Sequence, residues 1–196
     1  NKNLLTIAAE AQAKSGHDIL AFPTWTPAEN AKLLEPVDDI MNPLFRAKKI
    51  KKGPAKFVPL WDAAKAQTIF EQMLVQTSNN IQGAVAANDG IAGAVVATLK
   101  AKGLKPIPLS GQDATVQGVQ NIISGWQTMT VWKDTRKLAT ASALAAVALV
   151  NNQPPRTTGS VKNGSRTIPA YIIPPVSITK ANYKQLFNGY LKKSKV

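Results

Sequence analysis

Apolar residues recur in two alternating patterns along most of the chain: short β-branched runs, and longer segments with helical spacing. Beyond the first quarter of the chain the two patterns alternate, which is typical of βα units packed around a parallel sheet. The spacing of Ala66, Phe70 and Leu74 predicts a helix over 63–76, and Asp62 is placed to cap it. The sequence therefore predicts a fold of the α/β class.

The remaining elements follow in the same alternation. We expect strands over 55–58, 83–87, 107–109, 128–132 and 171–173, and helices over 91–101, 114–124, 136–150 and 181–190. The Ala-rich helix contains the longest apolar run, of about 13 residues, which is shorter than the roughly 20 needed to cross a bilayer. We therefore expect this helix to be buried in the protein. A stretch rich in Pro, Gly, Thr and Asn over 151–167 predicts a surface connection.

The first forty residues have a different pattern. We expect a helix over 4–14, a strand over 19–22 and a capping box at 26–29 that opens a further helix. A basic stretch over 46–52 then leads into Gly53-Pro54. The predicted organisation is an N-terminal segment over 1–43 and a main lobe over 44–196.

The chain is strongly basic, with a formal net charge of +13. Such a charge first suggests a nucleic-acid partner. Most positive residues are scattered, however, and neither basic cluster is clearly interleaved with aromatic side chains on which bases could stack. These clusters comprise Lys48, Lys49, Lys51, Lys52, Lys192, Lys193 and Lys195. A solvated basic face is the preferred interpretation, and a basic nucleic-acid-binding module is an alternative.

Residue counts exclude several kinds of chemistry. The chain has no cysteine, so it can form neither disulfides nor thiolate metal sites. Its one histidine, His17, has no second histidine to join as a ligand, and we expect a surface position and no metal. The chain opens at Asn1 without a charged and then apolar leader, so we expect an export signal to be either absent or already removed.

Four side chains lie just after the ends of predicted strands: Trp61, Asn88, Asp113 and Lys133. In parallel sheets, ligands bind outside the carboxyl ends of the strands. A neutral sugar needs an aromatic face for its C–H surface and planar polar groups for its hydroxyls, and these four residues supply both. The pattern indicates a polar ligand site.

Each of the four also has a plainer explanation. Asp113 could cap the next helix, Asn88 could hold a turn, Trp61 could be core, and Lys133 could be solvated. Catalysis is disfavoured, because no second carboxylate, nucleophile or metal set accompanies Asp113 and Lys133. The pair Gly90 and Gly93 lacks the full spacing of a dinucleotide loop. We expect no catalytic residue and no cofactor.

Three motifs carry a resemblance to a known family. They are AVAANDGIAG at 84–93, LSGQD at 109–113 and GWQTMTVWK at 125–133. In this order and at these separations they resemble the periplasmic D-xylose-binding proteins of bacterial sugar ABC transporters, which are type I periplasmic binding proteins. The resemblance runs from Leu44-Phe45-Arg46 to the end of the chain and includes a crossover helix and a C-terminal tail.

The resemblance implies parallel-sheet, Rossmann-like lobes that close on a monosaccharide, xylose or a related aldose. It implies stacking by Trp61 and hydrogen bonds from Asn88, Asp113 and Lys133. It further implies a monomer in the periplasm that delivers its sugar to a membrane permease with a cytoplasmic ATPase. Contact with the membrane would be peripheral only, with no nucleic-acid partner, no cofactor and no chemical turnover.

The N-terminal part departs from that family. The first lobe, which supplies an Arg and an Asp-Arg pair to the sugar, has no recognisable counterpart, and Asp39-Ile40-Met41-Asn42 stands where the family carries adjacent asparagines. Residues 1–41 look more like a different family of extracellular solute-binding proteins. The effector-sensing domain of a sugar-responsive transcription regulator shares the fold and is an alternative, although 1–41 shows no clear helix-turn-helix.

Overall fold

The computed structural model describes residues 41–163 and 165–196, which divide into two compact units. The first unit comprises the described residues up to Trp132 together with Ser177–Val196, and the second comprises Lys133–Val176. The elements predicted over 4–14, 19–22 and 26–29, and the position of His17, lie outside the described residues.

Among the described residues, the first unit contains a helical stretch over 41–46, three further helices and a small number of extended segments. The helices are α1 (Ala63–Gln76), α2 (Asp89–Ala101) and α3 (Val116–Ile123), and strand β1 (Met129–Trp132) follows them. The second unit contains α4 (Thr135–Val150) and the strands β2 (Gly159–Asn163) and β3 (Arg166–Ala170). Strand β4 (Val176–Thr179) returns the chain to the first unit and pairs with β1. Short 3-10 helices span Pro59–Trp61, Tyr183–Phe187 and Lys193–Lys195.

Helix α1 has the predicted bounds because both of its sequence signals are local. The Asp62 side chain accepts a hydrogen bond of 3.0 Å from the backbone N–H of Lys65 and caps the first turn. The predicted apolar face, Ala66, Phe70 and Leu74, is buried, and α1 packs against α2 with it. The hydrogen bond from the Lys65 N–H to Asp62 and the burial of this face confirm the predicted helix.

Helix α2 supplies much of the core. It starts two residues before the predicted position, and Gly103, with a φ of 64°, follows its end as expected. Its Val95, Val96 and Leu99 pack in one cluster with Phe70 and Leu74 of α1. The two helices therefore pack together in one hydrophobic core.

The predicted parallel strands are shorter than expected. Those over 83–87 and 107–109 meet at a single parallel bridge between Ala84 and Leu109. The Ala84 N–H donates to the Pro108 carbonyl over 2.9 Å, and the Ser110 N–H donates to the Ala84 carbonyl over 3.2 Å. The strand predicted over 55–58 is wrong: these residues have no regular secondary structure and are mostly exposed. The strand predicted over 128–132 forms as β1, and its Met129, Thr130 and Val131 are all buried.

The second unit differs from the prediction in two respects. Helix α4 forms over the expected residues, yet none of its residues is buried, because the described part of the unit does not cover its apolar face. The surface connection predicted over 151–167 is mostly exposed, as expected, but it also contributes to an antiparallel hairpin, with Gly159 opposite Ala170 and Asn163 opposite Arg166. The Asn163-Gly164 pair is a known hairpin signal that could have indicated it.

The C-terminal elements also differ from expectation. The last strand lies over Val176–Thr179 rather than 171–173, and the closing helix predicted over 181–190 is reduced to the 3-10 helix Tyr183–Phe187. Strand position depends on the partner strand, which a local pattern does not reveal. Along the described ranges, no helix combines the length and the hydropathy needed to span a membrane.

The core of the first unit can be tested with neighbouring residues of α1. Leu74 is 1% exposed and Val75 is 75% exposed. We expect Leu74→Ala to lower the free energy of unfolding by about 2–5 kcal/mol, because it removes buried methyl groups and leaves a cavity. Val75→Ala should change the stability by less than about 0.5 kcal/mol. Urea unfolding measures both, and equal effects would contradict the described core.

Candidate functional site

The carboxyl ends of three extended segments meet at one edge of the first unit. The Ala86 N–H donates to the Ser110 hydroxyl over 3.0 Å, and that hydroxyl donates to the Ala86 carbonyl over 3.1 Å. One step further along, the Asp89 N–H donates to the Gln112 carbonyl over 2.9 Å. The Asp113 N–H then donates to the Val131 carbonyl over 2.8 Å. These bonds bring two of the predicted site residues, Asn88 and Asp113, to the same edge.

Asn88 is half-buried at the start of α2. Its φ of −148° is extended, and its side-chain oxygen accepts a hydrogen bond of 2.8 Å from the Ile91 N–H. The plainer explanation, that Asn88 holds a strand-to-helix turn, is therefore confirmed. The cap engages only the oxygen of the amide, so its NH₂ group is the part of Asn88 that can donate to a ligand.

Asp113 does not cap a helix, so the plainer explanation for this residue is wrong. The N-cap of α3 is Thr115, whose hydroxyl accepts a hydrogen bond of 3.0 Å from the Gly118 N–H. Asp113 is exposed, and both it and Ala114 have left-handed backbone, with φ of 97° and 49°. Such conformations in non-glycine residues cost about 1–3 kcal/mol each and persist only where the surroundings fix them.

The residue next to Asn88 was not identified from the sequence as part of the site. Asp89 is 1% exposed, and its Oδ2 accepts hydrogen bonds from the Thr115 N–H at 2.9 Å and the Thr115 hydroxyl at 3.2 Å. Its Oδ1 accepts from Gln127 Nε2 at 2.8 Å, and the same Nε2 is 3.0 Å from the Met129 carbonyl. One carboxylate thus joins the starts of α2 and α3 to the segment that leads into β1.

Burial raises the pKa of the Asp89 carboxyl above its ordinary value. Loss of solvent around the charge is the dominant cause, and the hydrogen bonds from Thr115, Gln127 and Thr130 oppose it. The start of α2 also favours a negative charge, because the unpaired N–H groups of a helix carry a partial positive charge there. Asp89 is therefore a strongly hydrogen-bonded carboxyl in a largely dry environment.

Two glycines make room for this carboxylate. A Cβ on Gly111 or on Gly118 would overlap the Asp89 side chain. Gly111 lies on the segment before Asp113, and Gly118 lies in the first turns of α3. These glycines, together with the Asn-Asp-Gly order at the start of α2, are the sequence signals that could have indicated a buried acid.

Trp61 and Lys133 lie outside the segments that form this edge. Trp61 is 36% exposed on the short 3-10 helix before α1, with a φ of 57°, so the core explanation for it is wrong. Lys133 is half-buried, and it is the first residue of the second unit, directly after the last residue of β1. Their part in a site stays a prediction from the sequence.

The C-terminal tail reaches the segment that carries Asp113. The Tyr190 hydroxyl donates to the Asp113 carbonyl over 3.4 Å, and the Tyr190 ring lies 5.4 Å from the ring of Trp132. A ring contact of this kind adds about 0.5–1.5 kcal/mol beyond the burial of the two rings. The C-terminal tail therefore supports the backbone of Asp113, through a contact that the sequence did not predict.

The arrangement offers hydrogen-bonding groups to a polar ligand. Among the described residues, no group of three or more His, Asp or Glu side chains could hold a metal ion. An exposed carboxylate and an amide lie where parallel segments end, which is the position of ligand sites in open α/β sheets. The fold and this edge together define a ligand-binding α/β lobe.

The chain belongs to the periplasmic binding protein family, because the family's periplasmic binding protein domain matches residues 9–154. It is 37% identical over 158 residues to the D-xylose-binding periplasmic protein of Haemophilus influenzae, covering 80% of this chain and 48% of that protein. It is 34% identical over 197 residues to the D-xylose-binding periplasmic protein of Escherichia coli, covering 95% of this chain and 60% of that protein. The chain thus spans about half of each relative.

Solved structures give the same fold. A carbohydrate transporter solute-binding protein from Chloroflexus aurantiacus, solved in complex with D-glucose, aligns with a TM-score of 0.73 and 25% identity. The alignment covers 98% of this chain and 67% of that one. A solute-binding protein from Clostridium phytofermentans with bound β-D-glucose aligns with a TM-score of 0.74 and 20% identity. These matches confirm the predicted α/β fold of the type I periplasmic binding proteins.

The glycines around Asp89 provide a matched pair of substitutions. Alanine at Gly118 would overlap the Asp89 carboxylate, whereas alanine at Gly93, also helical, would meet only the end of the exposed Gln117 side chain, at 3.3 Å. We expect Gly118→Ala to lower the free energy of unfolding by about 1–3 kcal/mol through overpacking. Gly93→Ala should be neutral or stabilising by up to about 1 kcal/mol. Thermal unfolding compares them, and a stabilised Gly118→Ala would be inconsistent with the site.

The raised pKa of Asp89 predicts a pH dependence of stability. The folded chain holds this proton more tightly than the unfolded chain, whose value is near the ordinary 3.8. The contribution of Asp89 to stability is therefore greatest in acid and is lost as the pH rises through the folded pKa. Relative to Asp89→Asn, which does not titrate, the wild type should lose stability as the pH rises from the ordinary value of 3.8 through the folded pKa.

Urea unfolding of both proteins across this range measures the difference. The carboxyls of Asp62 and Asp134 have lowered pKa values, Asp62 because of the Lys65 N–H and Asp134 because of the Arg136 side chain. Their contributions run in the opposite direction, but they are common to both proteins and cancel in the comparison. A wild type that gains stability relative to the variant as the pH rises would show that the pKa of Asp89 is not raised.

Proposed function

We propose that this chain forms the ligand-binding lobe of a periplasmic protein that captures a monosaccharide, xylose or a related aldose, for an ABC importer. The observation that carries this proposal is the pairing of an exposed carboxylate, Asp113, with an amide, Asn88, at the carboxyl ends of parallel segments. The bound sugar leaves chemically unchanged, and no cofactor takes part.

The chemistry of the edge suits a sugar. A carboxylate accepts hydrogen bonds from two neighbouring hydroxyls, and the Asn88 NH₂ group donates to a hydroxyl oxygen. Trp61 is exposed enough to offer a ring face to the C–H surface of a sugar, and the Lys133 ammonium is a further donor. We propose these four residues as the sugar ligands on the side of this lobe.

Names of similar proteins favour sugar capture over the two alternatives. Both D-xylose-binding relatives are named as periplasmic proteins, and the solved structures in question are solute-binding proteins with bound glucose. We therefore propose a periplasmic location and a membrane permease as the partner that receives the sugar. We further propose that the protein is a monomer and has no nucleic-acid partner. We also propose that residues 44–196 form the main lobe and that residues 1–43 form a separate N-terminal segment.

Sugar binding is tested best by NMR, because chemical shifts report both tight and millimolar binding and identify the residues involved. D-xylose, D-ribose, D-glucose and D-galactose are titrated to about 20 mM, which detects dissociation constants in the millimolar range. We expect one aldose to shift the amide signals of Asn88 and Asp113 in a saturable way. Asp113→Ala should weaken this binding at least about tenfold, the effect of losing hydrogen bonds to a charged acceptor.

Trp61→Ala should weaken the same titration, since it removes the stacking face. Glu71→Ala is the matched control for Asp113→Ala, because Glu71 lies within α1 and bonds only to Gln67 of its own helix among the hydrogen bonds described for it. This control should bind as the wild type does. No saturable shift with any of the four sugars, from folded wild-type protein, would contradict the proposed function.

A further inference from the structure

The segment that presents Asp113 is held at every residue. At its two ends, the Gln112 carbonyl accepts from the Asp89 N–H at 2.9 Å, and the Thr115 N–H donates to the Asp89 carboxylate at 2.9 Å. Between them, the Asp113 N–H bonds to the Val131 carbonyl at 2.8 Å and the Ala114 N–H bonds to the Thr130 hydroxyl at 3.1 Å. Asp89 therefore holds both ends of this segment, and β1 holds its middle.

The segment depends on these hydrogen bonds because the backbone at its middle is strained. Asp113 and Ala114 are left-handed in succession, and neither is a glycine. Left-handed backbone of this kind is retained only when neighbouring contacts leave no relaxed alternative. Release of the Thr115 end would let both residues return to ordinary backbone angles, and the Asp113 carboxylate would then point elsewhere.

Asp89 is also the direct neighbour of Asn88. Its backbone starts α2 immediately after the Asn88 cap, and its side chain bonds to the N-cap residue of α3. The same residue therefore fixes the amide on one side of the edge and the carboxylate on the other. We propose that Asp89 is a positioning residue that sets the orientation of Asn88 and Asp113 toward each other; this inference rests on the proposed sugar-binding function.

A carboxylate suits this role better than its amide. Several donors converge on Asp89: the Thr115 N–H, the Thr115 hydroxyl, the Gln127 amide and the Thr130 hydroxyl. Asparagine has the same size but would turn an NH₂ group toward one of these donors. Gln127 cannot flip to compensate without placing its oxygen against the Met129 carbonyl, to which its Nε2 now donates. Asp89→Asn thus changes the hydrogen bonds and preserves the packing.

The test compares Asp89→Asn with Thr98→Val, which replaces another buried polar residue of α2 by one of similar size. Among the hydrogen bonds described for it, Thr98 donates within α2, to the Ala94 carbonyl, and it lies about 14 Å along the helix from Asp89. We expect amide exchange of Asp113 and Thr115, relative to Leu99 in the same sample, to accelerate at least about tenfold in Asp89→Asn. Thr98→Val should leave that ratio unchanged.

The second readout is a double-mutant cycle with the sugar that binds the wild type. Asp113→Ala should weaken binding at least about tenfold in the wild type but less than about threefold in the Asp89→Asn background, where the carboxylate is already misplaced. A residue that only stabilised the fold would give equal losses in both backgrounds. Gln127→Met, which removes one donor to Asp89, should shift both readouts in the same direction by a smaller factor and serves if Asp89→Asn does not fold.

The outcomes separate the two ideas. Unchanged exchange at Asp113 and Thr115 overturns the positioning role whatever the sugar result, and so do equal losses in the two backgrounds. Accelerated exchange in a protein that binds none of the sugars supports the holding of the segment by Asp89 and refutes the sugar-binding function alone.

Discussion

The edge that defines this lobe depends on one buried carboxylate. Asp89 receives hydrogen bonds from Thr115, the N-cap residue of α3, and from Gln127, two residues before β1, while its own backbone begins α2. The parallel ladder between the extended segments is reduced to one bridge, between Ala84 and Leu109. Side-chain bonds to Asp89 therefore supply cohesion that longer strands would otherwise provide, and the site residues Asn88 and Asp113 inherit their positions from it.

Helices were predictable from the sequence, and strands much less so. The bounds of α1 follow from a local cap and a local spacing, Asp62 and the face formed by Ala66 to Leu74, which need no information from distant residues. The strand predicted over 55–58 has the same β-branched and apolar character as a true strand, yet it meets no partner, and pairing is a non-local event. The predicted burial of α4 is wrong for a related reason. An apolar run indicates a surface that can be buried, but it does not identify the residues that would cover it.

Only part of the site could be read from position along the chain. Asn88 and Asp113 were found because both follow predicted strands, and the backbone bonds bring them to one edge. Asp89 was missed because the acid of an Asn-Asp-Gly turn is ordinarily exposed to solvent. Its hydrogen-bond partners in the interior, Thr115 and Gln127, lie 26 and 38 residues away in the sequence. The left-handed backbone at Asp113 was equally invisible, since the sequence places no glycine there.

Gly111 and Gly118 have a consequence for how this lobe can change over time. Each lies against the Asp89 side chain so closely that no larger residue fits while the acid is present. A shorter residue at position 89 would open space at Gly118, whereas a larger residue at Gly111 would also overlap the Gln127 side chain and would require a change there as well. Positions far apart in the chain are thus coupled in the order in which they can accept substitutions, and glycine, the residue type with the fewest steric limits, becomes hard to replace at this edge.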